Sequence, residues 1–485
     1  MARLTDQEID AIARKIATDL SGTVAPASPA PVAAPAPTVA PVEQGLGVFA
    51  TIGEAILAAQ KAFPIYAALP LLTRNKIIAA IRREMLENAS ALAKAAHDET
   101  GLGRFEDKIV KNQLVAEKTP GTEHLVSESF TGDHGLTLCE PAPYGVIGAI
   151  TPCTNPTSTI ICNTIGMIAA GNTVVFNGHP SAKCCSAQTV ALLNKVITAN
   201  GGPANVITCV ASPTVESAQE MMKHPAVRLL VVTGGGGVVK AAMASGKRAI
   251  CAGPGNPPVV VDETADIEQA ARDIVLGASF DNNIICVEEK EVVVVASVAD
   301  QLLKAMAQFG AALIDRSRLP QLEQTIFTKM AGPKGHAEIN RDFIGKNAEL
   351  ILGKMGMNVP STVKLGVIEV DENHPLSWTE QMMPIMPVVR VPTAQYAIDL
   401  AIQMEGHNRH TFIMHSKNLD NLSRMAKACN ASIFVKNGRS QSGLGFGGEG
   451  YTSFTIASPT GEGLTGPRSF SRWRRCVMVD HFRIV

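Results

Sequence analysis

Cys286 stands in the string Phe280-Asp281-Asn282-Asn283-Ile284-Ile285-Cys286-Val287-Glu288, a polar loop between an expected helix and an expected strand. A thiolate attacks carbonyl carbon readily, and reactive side chains concentrate on loops that a rigid scaffold positions. The chain has ten cysteines in all. Cys162, Cys209 and Cys251 lie in apolar or small-residue strings, where a buried, inert thiol is the default reading. Cys184 and Cys185 are adjacent, and no Cys-x-x-Cys or clustered His/Cys spacing occurs, so no metal site is expected. His179, His407, His410 and His415 are possible bases. Each is more often a hydrogen-bonded surface or core histidine.

Two glycine clusters bear on nucleotide binding. Gly234-Gly235-Gly236-Gly237 follows an apolar strand ending at Thr233 and opens the helical pattern Val238 to Ala244. Bare amides at such a helix start can receive a pyrophosphate, although four glycines also make a flexible turn. Gly443-x-Gly445-x-x-Gly448 satisfies the dinucleotide fingerprint literally, but a strand-like run, Thr452 to Ala457, follows it. The fingerprint needs a strand before and a helix after, so this match reads as a loop.

The elements that would position these residues alternate. Ile52 to Phe63 and Leu72 to His97 have helical periodicity. Short Val/Ile-rich runs then follow at Gly145 to Ile150, Thr173 to Phe176, Val206 to Val210, Leu229 to Val232 and Val259 to Val261, separated by helix-length segments. A second series has a helix from Ile267 to about Ser279, a strand from Glu291 to Ala296 and a helix from Val298 to Ala311, with the boundary near Pro257 and Pro258. Strands alternating with helices predict an α/β fold with parallel sheets. At 485 residues the chain exceeds one ordinary domain.

Hydrophobic residues are 46% and charged residues 18%, values of a globular protein. Lys plus Arg total 43 against 44 acids, a net charge of -1, so no global field attracts nucleic acid or an anionic membrane surface. No apolar run reaches the roughly 18 residues a membrane span needs; Thr159 to Phe176 comes nearest and is interrupted by Asn and Gly. Scattered cysteines without a secretory signal fit reduced thiols in the cytoplasm.

The first 45 residues differ from the rest. Ile9, Ile12, Ala13, Ile16, Ala17 and Leu20 fall on one helix face, Thr5 and Glu8 have capping-box spacing, and Gly22 is placed to end the helix. Val24 to Val42 repeats Ala, Pro and Val and predicts an extended spacer. Asp6, Glu8, Asp10 and Asp19 argue against a secretory signal or a mitochondrial presequence. A short helix with no core of its own is marginal in water, so this one is expected to dock on another protein; a frayed terminus is the alternative. At the other end, Arg468, Arg472, Arg474 and Arg475 precede Val477 to Val479 and Phe482 to Val485, which reads as a charged surface strand.

From about Gly47 onward the chain resembles the aldehyde dehydrogenase superfamily, in particular its coenzyme A-acylating branch of the ethanolamine- and propanediol-utilising bacterial microcompartments. The resemblance is carried by Ile150-Thr151-Pro152-Cys153-Thr154-Asn155-Pro156, which matches the oxyanion segment, and by Gly171 through His179 and Pro180, the following cofactor strand. Phe280 to Lys290 matches the nucleophile loop, Glu380-x-x-x-Pro384 the glutamate on the cofactor ribose, and Val435 through Gly463 the C-terminal signature. The first 45 residues are similar to an encapsulation peptide and its linker.

This resemblance implies a Rossmann-type cofactor domain, an α/β catalytic domain and a β oligomerisation arm. It implies a targeting helix at 1–22, a linker at 23–45, an NAD-binding domain at 46–258 with part of the arm near 121–142, a catalytic domain at 259–436 and a C-terminal return at 437–485. Cys286 would attack the aldehyde, with the oxyanion held by the Asn155 side-chain amide and the Cys286 backbone amide. Thr151, Pro152, Cys153, Asn177, His179, Thr233, Gly234, Gly235 and Glu380 would bind NAD, and coenzyme A would take the acyl group. Also implied are a homo-oligomer, dimer or tetramer, and a shell or core partner for residues 1–22 in the microcompartment lumen.

Two departures from the family's hydrolytic members matter. The glutamate that activates water there aligns with Cys251, and the lysine that meets the adenosine ribose aligns with Asn177. Loss of a general base worth about 10²- to 10⁴-fold leaves a thioester long-lived towards water. The expected reaction is therefore oxidation of a short aldehyde, propionaldehyde first, to its acyl-coenzyme A. An acetaldehyde-preferring enzyme and a hydrolytic one are the alternatives.

Overall fold

A computed structural model describes residues 46–485. The expected N-terminal helix and its spacer lie outside the described residues. The short β-branched runs become strands buried on both faces, as parallel sheets covered by helices require. Six of them form one parallel sheet in the order Val48–Phe49, Ile207–Val210, Thr173–Asn177, Val146–Ile150, Val227–Thr233 and Ala249–Ala252. Its strand order turns around at Val146–Ile150. In such sheets the crevice beyond the carboxyl ends of the strands at the turning point receives the ligand. Thr151, Asn177 and Thr233 stand at or just past those ends.

The chain enters a second parallel sheet between Ala252 and Pro258. Its seven strands run in the order Ala311–Ile314, Leu365–Glu369, Ile385–Val391, Glu291–Val295, Pro258–Val261, Thr411–His415 and Ile433–Lys436. The register Val292 against Val259 and Val388 stacks β-branched residues through its centre. One apolar cluster joins the two sheets, running from Ile147 and Val174 through Ile274 to Val292 and Ile413. A separate antiparallel arm pairs Glu128–Gly132 with Gly135–Pro143, and the latter with Ser471–Val479. Among the described residues no helix is long and apolar enough to cross a membrane.

Three elements differ from expectation. The helix expected over Leu72 to His97 is two, Leu71–Glu87 and Ala89–Thr100. Asn88 separates them by returning its side-chain amide to the Glu84 carbonyl at 2.9 Å, a local bond that competes with helix continuation. The helix expected to Ala311 ends at Gln308, because Gly310 at φ +98 turns the chain into the strand Ala311–Ile314. The strand expected over Thr452 to Ala457 shrinks to Ile456–Ala457. Ser453 Oγ both donates to the Thr455 carbonyl at 3.1 Å and accepts from its amide at 3.2 Å, which replaces ladder bonds.

Candidate active site

The helix Ile267–Ser279 runs into the loop that carries Cys286. Asp281, Asn282 and Asn283 all have positive φ, at 43, 56 and 65°, a conformation these two residue types tolerate best after glycine. Their buried side chains fix it. The Asp281 carboxylate accepts from the Arg104 amide at 2.7 Å, from Lys108 Nζ at 3.2 Å and from Lys111 Nζ. Asn282 Nδ2 donates to the Gly345 carbonyl at 2.9 Å and to Asn347 Oδ1 at 2.8 Å. Asn283 accepts twice from Lys290 Nζ, at 2.7 Å on its carbonyl and 2.6 Å on Oδ1. The loop is thus held on two sides before the chain reaches Cys286, which is half-buried.

Gly255 is where the candidate groups meet. A Cβ built there would lie 2.6 Å from the Cys286 carbonyl oxygen and 3.1 Å from the His410 ring. Its amide donates to Glu380 Oε1 at 3.3 Å. Asn256 secures this segment by donating to Glu291 Oε1 at 3.1 Å and to the Met404 carbonyl at 3.1 Å. Burial first, then the Glu380 charge, pushes the Cys286 thiol up to about 12, so the resting group is the neutral thiol. Burial likewise raises the Glu380 carboxyl. His410 is fully buried with no partner for Nε2 among the described residues, and desolvation lowers its pKa to about 4. It is neutral at any working pH.

Sequence alone ranked the four histidines equally, and the structure separates them. His179 accepts from the Ser181 amide at 3.1 Å and caps a turn. His407 sits at φ 62 in a loop, and His415 ends a strand of the second sheet with no partner for Nε2 among the described residues. His410 alone packs against Gly255.

Asn155 opens the helix Pro156–Ala169, all of whose residues are buried. Its Oδ1 accepts from Lys111 Nζ at 2.7 Å, and its Nδ2 donates to Thr154 Oγ1 at 3.1 Å. Lys111 therefore joins Asn155 to the Asp281 end of the nucleophile loop.

The remaining candidates line the carboxyl edge of the first sheet. The Thr151 amide donates to the Asn177 carbonyl at 3.3 Å. Thr151 Oγ1 and Ser186 Oγ are buried without partners among the described residues, and both approach Gly178, where an added Cβ would lie 3.0 Å from Ser186 Oγ. Unspent hydroxyls around a bare glycine suit a nucleotide. The helix Gly236–Ala244 starts at Gly235 with open space around Gly235 and Gly236, which suits a pyrophosphate. Thr233 Oγ1 lies 2.9 Å from Thr455 Oγ1, while Pro152 and Cys153 are half-buried just beyond Thr151. Asn177 is different: its Oδ1 accepts from Ser217 Oγ at 2.6 Å, so its amide braces the Thr214–Ser217 cap.

A family model described as the aldehyde dehydrogenase family matches residues 29–463. The chain belongs to that family. It is 49% identical over 441 residues to acetaldehyde dehydrogenase (acetylating) EutE of Salmonella typhimurium, covering 91% of this chain and 94% of that one. A solved propionaldehyde dehydrogenase from the fucose utilisation bacterial microcompartment of Clostridium phytofermentans matches with a TM-score of 0.88 at 48% identity, over 91% of this chain and 100% of the other. A propionaldehyde dehydrogenase of Rhodopseudomonas palustris, solved with coenzyme A bound and a cysteine acylated, matches at 0.87 and 49%, over 90% and 99% of the two chains.

Within this aldehyde dehydrogenase, Cys251 is fully buried in an apolar cluster with Ile150, Val232 and Val239. Burial raises its thiol to about 11. Gly443 to Gly448 is a loop, and Lys118 Nζ occupies it by donating to the carbonyls of Gly445 and Gly448, the latter at 3.2 Å. Carbonyls gathered on a cation are the opposite of a phosphate cradle. Sequence reasoning missed Lys111, Asp281 and Gly255; only the helical phase of Lys108 and Lys111, three apart, hinted that both lysines share a face.

Proposed function

We propose that this chain oxidises a short-chain aldehyde to its acyl-coenzyme A, with NAD as hydride acceptor, through a thioester on Cys286. The observation that carries the reading is the convergence at Gly255 of Cys286, Glu380 and His410, in a family member with an apolar-packed thiol where a water-activating carboxylate would stand. Cys286 Sγ, once deprotonated, forms a bond to the aldehyde carbon, and the carbonyl electron pair moves to oxygen. The Asn155 amide and the Cys286 backbone N–H receive that oxyanion. Thr151, Thr233 and the amides of Gly234 and Gly235 would hold the dinucleotide, and Glu380 its ribose. When bound, NAD supplies the acceptor for the hydride that leaves the aldehyde carbon. Coenzyme A thiolate then attacks the thioester, and Cys286 departs as its thiolate.

The acyl chain has two or three carbons, with propionaldehyde the first assignment. Relatives acting on acetaldehyde and on propionaldehyde resemble the chain at 49% and 48% identity, so identity does not decide. One methylene in an apolar pocket is worth only about 1 to 3 kcal/mol. The Clostridium relative's origin supports placing this enzyme in a microcompartment lumen, with residues 1–22 docking on a shell or core protein and the arm building a homo-oligomer.

The test is absorbance of reduced cofactor from propionaldehyde and NAD, with and without coenzyme A, for the wild type and Cys286→Ala. Sustained turnover only with coenzyme A, lost in the variant, is expected. Equal turnover without it would establish the hydrolytic reading instead.

A further inference from the structure

We infer that Lys111 is a positioning residue of the oxyanion site: it sets which end of the Asn155 amide faces the substrate and ties that amide to the nucleophile loop. This rests on the assignment of Asn155 as an oxyanion donor.

The two ends of an asparagine amide are nearly the same size, so packing alone selects neither. A lysine ammonium has three donors and no acceptor. Lying 2.7 Å from Asn155 Oδ1, it admits only the carbonyl end of the amide. Nδ2 is turned away, with one proton on Thr154 Oγ1 at 3.1 Å and its second proton left for an oxyanion. The ammonium also polarises the amide it binds, which makes Nδ2 a stronger donor.

The arrangement is built for permanence. Lys108 and Lys111 project from one face of the helix Phe105–Lys118, and both are buried. Each donates to the Thr154 carbonyl at 3.3 Å and to Asp281 Oδ2. A buried ammonium is costly unless paired, and Asp281 supplies the pair from inside the loop that carries Cys286. Desolvation leaves Lys111 at about 8, and Asp281 is the first of the influences that hold it up. Gly103 makes the pairing possible, since a Cβ there would lie 2.0 Å from Asp281 Oδ1. Both oxyanion donors, the Asn155 amide and the Cys286 N–H, thereby share one anchor.

The experiment is a double-mutant cycle of Lys111→Met and Asn155→Ala in the full chain, with kcat and KM measured for aldehyde, NAD and coenzyme A. Asn155→Ala alone is expected to lower kcat by about 10²- to 10³-fold. Lys111→Met is expected to lower kcat by at least about 10-fold with the KM for NAD unchanged, and to add under threefold on the Asn155→Ala background. Lys111→Gln keeps a donor and is expected to recover most of the loss; if Lys111→Met does not fold, Lys111→Ala, which also removes the donor, takes its place in the cycle. An unaffected Asn155→Ala would remove the assignment on which the inference rests. A lowered Asn155→Ala with independent, multiplicative losses in the double variant would overturn the inference alone.

Discussion

The backbone amide of Cys251 donates to the Thr460 hydroxyl at 3.0 Å, and Thr460 in turn donates to Glu462. This strap holds the strand Ala249–Ala252 with its thiol turned into the apolar cluster. Cys251→Ala should therefore keep coenzyme A-dependent turnover within about threefold. Cys251→Glu should not produce a hydrolase: an unpaired buried carboxylate costs several kcal/mol, and the expected readout is a fall in melting midpoint or loss of folded protein. A folded Cys251→Glu enzyme that releases free acid without coenzyme A would show that this side chain reaches the thioester.

Glu380 raises the Cys286 thiol through its negative charge, second only to burial. Removing that charge lowers the pKa and increases the thiolate fraction at a given pH. Alkylation of Cys286 by iodoacetamide should therefore be severalfold faster in Glu380→Gln than in the wild type at pH 8, with the pH profile displaced to lower values. Peptide mapping of the alkylated residue makes the measurement specific to Cys286. An unchanged or slower rate would remove Glu380 from the electrostatic neighbourhood of the nucleophile.

Much of the frame was readable because it is local. The β-branched runs at 146–150, 173–177 and 291–295 announce strands buried on both faces, and a glycine string after a strand announces an open helix start. Cys286 was distinguishable from buried thiols by the polarity of its neighbours. What escaped was long-range. Lys111 meets Asp281 across 170 residues, and Gly255 meets Glu380 across 125. No periodicity encodes such pairs. His410 gains its meaning only from Gly255, whereas the fingerprint at Gly443 to Gly448 already fails on its local context, and what the sequence does not show is that Lys118, 327 residues before Gly445, fills that loop. Asn177 matched a cofactor strand by motif, yet its amide is committed to Ser217.

Glu405 gives a pH dependence of stability. It is buried, accepts from the His410 and Arg409 amides at 2.8 and 3.1 Å, and is raised by desolvation from 4.5 to about 7. A carboxyl raised in the folded state contributes stability that is complete below about pH 4.5 and lost as pH rises through about 7. Glu405→Gln abolishes that titration while keeping an acceptor. Relative to the wild type, it should gain about 1 to 3 kcal/mol between pH 5 and pH 8 in denaturant unfolding. A difference between the two proteins that does not vary with pH would mean that Glu405 ionises normally in the fold.

Among the described residues the arm strand Ser471–Val479 pairs along one side only, with Gly135–Pro143. Trp473, Val477 and Val479 alternate along it and are 49, 55 and 64% exposed. An edge strand with such a face invites another strand or surface to cover it. If a second copy does so, Val477→Glu with Val479→Glu should reduce the mass found by size exclusion with light scattering to that of a smaller assembly. An unchanged mass would place the oligomer contact elsewhere.

The N-terminal segment offers the last test, because its pattern and the enzyme body separate cleanly. All the groups assigned to the site lie between residues 103 and 462, and the first sheet begins at Val48. Residues 1 to 45 therefore contribute nothing to that list, while the spacing of Ile9, Ile12, Ile16 and Leu20 in the sequence predicts an apolar stripe that a partner would cover. Deleting residues 1 to 45 should leave kcat and KM unchanged and abolish co-purification with microcompartment shells. Ile12→Glu with Ile16→Glu should do the same without shortening the chain, since two charges on the stripe oppose burial at any apolar surface. Shells that retain the doubly substituted enzyme would show that the stripe is not what they bind, and a loss of turnover on deletion would show that the segment serves the enzyme body instead.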